Sequence, residues 1–90
     1  MSLSSEDRKA LKQKAHSLKP VILTGSKGLT DAVHLEIARA LHDHELIKMK
    51  ISAEDKAARE AMINEVLTRH EAELVQLIGH MATLYKQKAD

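Results

Sequence analysis

Residues 19–30 read Lys-Pro-Val-Ile-Leu-Thr-Gly-Ser-Lys-Gly-Leu-Thr. A short apolar run, Val21 to Leu23, leads into Gly25-Ser26-Lys27-Gly28, and Thr30 opens a helical pattern. The stretch predicts a strand, a tight glycine turn and a helix N-terminus in succession. Pro20 supports that order, because the residue before a proline is pushed out of the helical region and an extended segment follows. Glycines permit a sharp turn and let a second backbone come close. A helix N-terminus offers unpaired N–H groups and partial positive charge to a phosphate, and Lys27 adds a full charge at the same place. A Gly-x-x-Gly loop of this sort clamps the nucleotide backbone in one class of RNA-binding module.

Upstream of this stretch, Ser4 or Ser5 can cap a first helix running to about Ala15, with Asp7 placed for a capping box. Its apolar positions are sparse, so it should lie on the surface with one packed side. Downstream, Leu29, Val33, Ile37, Ala40 and Leu41 form the stripe of a second helix from about Thr30 to His42. Leu46 to Ile51 then alternates: Ile47, Met49 and Ile51 point one way, Lys48 and Lys50 the other. A third helix is expected over 55–70, a third strand over Glu73–Ile78, and a fourth over Met81–Tyr85. Gly79 is placed to open a II′ hairpin turn between the last two. The order α-β-α-β-α-β-β predicts an α+β, two-layer fold with a mixed four-stranded sheet covered by helices. Its strand–helix–strand units imply parallel neighbours, and the hairpin implies an antiparallel pair.

Ninety residues suit a single domain, and no repeat, linker or low-complexity stretch divides them. Tyr85 is the only aromatic residue, which excludes RNA binding by several stacked rings. The absence of cysteine excludes disulfides and thiolate sites and fits a reducing compartment. No membrane span or signal segment stands out, so a cytoplasmic protein is expected. Net charge is only +1, but residues 8–30 carry six bases and no acid, whereas residues 31–90 sum to −3. The basic charge gathers around the glycine loop and suggests an anionic partner on that side.

These residues resemble the CRM domain (chloroplast RNA splicing and ribosome maturation), most closely its small bacterial single-domain members, the YhbY-like proteins. The resemblance is carried by Leu11-Lys12, Ala15-His16, Leu18-Lys19-Pro20-Val21, Gly25-Ser26-Lys27-Gly28-Leu29-Thr30, His44-Glu45-Leu46-Ile47-Lys48, Val75-Gln76, Ile78-Gly79 and Leu84-Tyr85, spread over almost the whole chain in the family's order. It implies a core similar to the C-terminal domain of translation initiation factor 3, and a monomeric, non-enzymatic RNA-binding protein associated with precursors of the large ribosomal subunit. Ribosomal RNA is the implied partner; DNA and membranes are not. The family's RNA contacts fall on Gly25, Ser26, Lys27 and Gly28 with Lys19. Lys86 stands where the family often has arginine, keeping the charge without the planar fork.

Other candidates keep two roles open. Arg8 and Lys12 either extend the loop's positive field or form a solvated helix face. Lys48 and Lys50 either lie on a sheet face that RNA can reach or simply shield the sheet. His42-Asp43-His44 clusters with His34, but zinc needs three or four converging ligands and no second cluster accompanies this one. No metal, cofactor or catalytic group is therefore expected. The rival to RNA binding is a protein-interaction module, whose acidic helices dock a ribosomal protein or assembly factor while the glycine loop is purely structural.

Overall fold

A computed structural model describes residues 3–25 and 27–87. Ser26, one of the expected contacts, lies outside the described residues. The elements are α1 (Ser5–Ala15), β1 (Pro20–Leu23), α2 (Asp31–His44), β2 (Leu46–Lys50), α3 (Lys56–His70), β3 (Glu73–Ile78) and β4 (Met81–Tyr85). Each helix begins at a side-chain cap, which satisfies an N–H group that has no intrahelical partner. Ser4 Oγ accepts from Asp7 N–H at 3.0 Å, and the Asp7 carboxylate accepts in turn from Ser4 N–H, completing the capping box. Thr30 Oγ1 accepts from Val33 N–H, and Asp55 Oδ1 from Ala58 N–H.

The strands form one mixed sheet in the order β1-β2-β4-β3. β1 and β2 are parallel, as the helical crossover between them requires, and β3–β4 is the expected antiparallel hairpin. Gly79, at φ 57, turns that hairpin. The expectation of parallel neighbours fails for β2 and β3, because β4 lies between them, antiparallel to both. The burial pattern explains the insertion. β4 buries Ala82, Thr83 and Leu84 in succession, whereas β3 carries polar Glu73 and Gln76 and suits an edge.

One face of the sheet is covered by α2 and α3. Ile22, Ile47, Met49, Ala82 and Leu84 meet Ile37 and Leu41 of α2 and Ile63 and Val66 of α3 there, forming the main core. The opposite face is only partly covered. Leu46, Tyr85 and Glu73 are in register across β2, β4 and β3. α1 packs over this row, contacting β2 and β3. Two further rows, Lys48–Thr83–Gln76 and Leu23–Lys50–Met81–Ile78, continue the same face beyond the helix. Leu23 and Ile78, at the ends of the last row, are 62% and 65% exposed.

Candidate nucleic-acid interface

The glycine loop is a one-turn reversal fastened at its root. Gly28 N–H donates to the Gly25 carbonyl at 3.0 Å, and Lys27 is exposed beside that bond. Just before it, buried Thr24 ties the ends of β1 and β2 together. Its N–H donates to the Lys50 carbonyl at 3.1 Å, and its hydroxyl accepts from Ser52 N–H at 2.8 Å. The loop is therefore held at a fixed place beside Lys50, which pairs with Leu23 across the two strands. No local pattern in the sequence marks Thr24 as this anchor.

The two loop glycines differ in what demands them. Gly28 sits at φ 71, a left-handed conformation that costs a residue with a Cβ roughly 1–2 kcal/mol. Gly25 has no positive φ, and a Cβ built on it would meet nothing within 4 Å. Nothing in the chain's own packing requires glycine there. Gly28→Ala should therefore destabilise the fold by about 1 kcal/mol, while Gly25→Ala should leave it within about 0.5 kcal/mol. Urea unfolding of both variants checks the difference.

The other candidate residues divide between exposed cations and a structural arginine. Lys50 is exposed and Lys48 half-buried on the face away from the main core, as the alternation in β2 predicts. Lys48 and Lys50 lie about 7 Å apart along the strand. Lys19 is exposed just before β1, and Lys12 is exposed in the last turn of α1, where it also complements the helix dipole. Arg8 points elsewhere: its guanidinium donates to the Leu74 carbonyl and lies 4.0 Å from the Glu73 carboxylate. It docks α1 on the β3 edge. The helix start after the loop carries a carboxylate of its own. Asp31, fully exposed in the first turn of α2, stands 3.9 Å from Arg69 and opposes an anion at that N-terminus.

Between the C-terminal part of α1 and the starts of β1 and β2 lies a cavity of about 540 Å³. Lys14, Lys19 and Lys48 line it together with Tyr85. Lys19 and Lys48 were expected as contacts; Lys14 and Tyr85 were not. The signal for Lys14 was its place in the six-base segment, and for Tyr85 its standing as the lone ring.

On the far side of the sheet, His34 of α2 and His70 of α3 form a buried pair that sequence reasoning overlooked. His34 Nε2–H donates to Glu65 at 2.8 Å, since a carboxylate can only accept. His34 Nδ1 then accepts from His70 Nε2–H at 2.9 Å. The spacing was visible: His34 falls in line with Ile37 and Leu41, and His70 with Ile63 and Val66. Among the described residues, no group of three or more acidic or imidazole side chains converges to hold a metal.

Three helices and a mixed four-stranded sheet, with a glycine turn beside a face that carries Lys48 and Lys50, define the class, a small α+β module. The chain belongs to the CRS1 / YhbY (CRM) domain family, whose model matches residues 3–86. It is 41% identical over 87 residues to a Pseudomonas aeruginosa protein named a probable RNA-binding protein, covering 97% of this chain and 84% of that one. A Haemophilus influenzae protein named as RNA-binding is also 41% identical, over 85 residues, covering 94% and 86% of the two chains. The solution structure of a Staphylococcus aureus protein, 24% identical, superposes with a TM-score of 0.83 and covers 99% of this chain and 93% of its own.

Proposed function

We propose that this protein binds RNA through the glycine turn and the basic half of the open sheet face. The observation that carries this is the composition of the two rows beyond α1. They hold Lys48 and Lys50 and no carboxylate, and they end beside the turn that exposes Lys27. Gly25 and Gly28 let an RNA backbone lie close to the turn, and Lys27, Lys50, Lys48 and Lys19 supply the phosphate contacts. Lys12 widens the field. Family membership and the RNA-binding names of the Pseudomonas and Haemophilus relatives support the same partner.

The whole chain acts as one monomeric, non-enzymatic RNA-binding unit in the cytoplasm. Its RNA is ribosomal, within precursors of the large subunit, where it assists assembly; the resemblance to the bacterial YhbY-like proteins supports this choice. Phosphate contacts position RNA without reading its bases, so sequence selectivity is low and affinity falls steeply with salt.

The test is binding to ribosomal RNA across a salt series, with Lys27→Glu beside wild type. The variant should bind more weakly at every salt concentration, with a salt slope lower by about one and an unchanged circular dichroism spectrum. Equal affinity and equal slope in both proteins would remove the loop from the interface.

A further inference from the structure

The cavity between α1 and the sheet lies mostly outside the fold's main core, which it meets at Ile47, and its lining is specific. Leu11 and Leu18 wall it from the α1 side, and Val21 and Leu46 rise from the sheet. Tyr85, in register with Leu46, adds the chain's one phenol ring, and the His44 imidazole lines the cavity as well. Lys14, Lys19 and Lys48 bring three ammonium groups, against the single carboxylate of Glu45. Its volume, about 540 Å³, falls within the range of small-ligand pockets, about 300–1,000 Å³. An apolar slot with a ring on one wall and cations around it complements a flat heterocycle joined to a phosphate.

We infer that this cavity takes one unpaired nucleotide of an RNA strand, with its base beside Tyr85 and its phosphates near Lys14, Lys19 and Lys48. The inference rests on the RNA-binding function proposed above and makes it more specific. A strand that leaves the cavity past Lys48 meets Lys50 two residues further on, and then the glycine turn. Phosphates then follow the lysines along β2 while one base turns inward. Bases can be buried this way only where they are unstacked and unpaired, so the protein prefers single-stranded or looped RNA to a regular duplex.

The chain offers a direct reporter. It has one tyrosine and no tryptophan, so its intrinsic ultraviolet emission comes from Tyr85 alone. Titration with an eight-nucleotide oligouridylate, at fixed salt, should quench that emission with a saturable curve. A duplex RNA matched in absorbance should leave it unchanged. Fluorescence anisotropy of end-labelled versions of both RNAs reports binding independently of the ring. Tyr85→Leu should weaken oligouridylate binding by about 5- to 150-fold, the range for loss of one base–aromatic stack, and leave duplex binding unaltered. Oligouridylate binding seen by anisotropy with no change in Tyr85 emission overturns the cavity assignment and leaves RNA binding standing. So does equal quenching by the duplex. Absence of binding by either RNA in the anisotropy measurement overturns both.

Discussion

Ile37→Ala is expected to lower the free energy of unfolding by about 2–5 kcal/mol, the largest effect of any single truncation in α2. Ile37 is wholly buried at the centre of the cluster joining α2, α3 and the sheet. Removing its side chain loses the transfer energy of burial, about 1.5–3 kcal/mol, and leaves a space that must collapse or stay empty. Collapse is hindered here. The neighbours Ile47 and Ile63 are β-branched and stiff at χ1, and the core has no aromatic ring to swing into the gap. Domains of this size have about 5–15 kcal/mol in hand, and about 1 kcal/mol shifts the melting temperature by roughly 4–8 °C. A drop of more than about 10 °C should follow. Leu35→Ala is the internal control: Leu35 lies on the same helix but is 73% exposed, and the change should cost less than about 0.5 kcal/mol. Urea unfolding of the three proteins measures both effects. A similar cost for the two variants would mean that the α2 stripe does not face the sheet as described.

That contrast shows why the sequence foretold so much of this fold. The 3.6-residue stripe of α2, the strict alternation of β2 and the serine and threonine at the starts of α1 and α2 are local signals, and the element order followed them. The differences arise where local signals are silent. α2 runs on to His44, beyond the expected end at His42, and stops at Glu45, whose φ is positive at 62. Glycine would have announced such an end; a glutamate does not. The place of β4 between β2 and β3 is a tertiary decision. A hairpin fixes only that β4 lies beside β3, and burying Ala82 and Leu84 against the core decides on which side. Among the proposed contacts, Lys27 and the glycines stand out by spacing, and Lys48 and Lys50 by alternation. Arg8, by contrast, looked like one more surface cation and instead clasps Leu74 and Glu73, 65 or more residues away in the chain. Lys14 and Tyr85 line one cavity only because α1 crosses the row that contains Leu46, which no local pattern encodes.

Buried His70 should make stability fall as pH drops below about 6.5, the unperturbed histidine value. Burial lowers the pKa of His70 first, and the nearby charges of His34, Arg69 and Lys86 lower it further. Its place in the last turn of α3 works the other way, since a helix C-terminus favours a cation, but burial and like charge prevail. The hydrogen bonds explain the conflict. His70 Nε2–H already donates to His34 Nδ1 at 2.9 Å, so that bond gains nothing when His70 takes up a second ring proton at Nδ1. The sign follows. A histidine whose folded pKa is depressed binds fewer protons folded than unfolded between the two pKa values, so unfolding takes up protons there and stability rises with pH. The contribution is whole above about 6.5 and is lost as pH falls toward the folded value. His70→Gln keeps an N–H donor for His34 Nδ1 without a titrating group, and its melting temperature should vary less between pH 7.5 and pH 5.5. His34→Ala should do more harm at every pH. It strands the His70 N–H in a buried site, costing about 1–3 kcal/mol, and the lost ring adds a cavity between α2 and α3. Melting curves for wild type and both variants across that range measure the effect. Parallel pH profiles for wild type and His70→Gln would show that the pair contributes nothing to acid sensitivity.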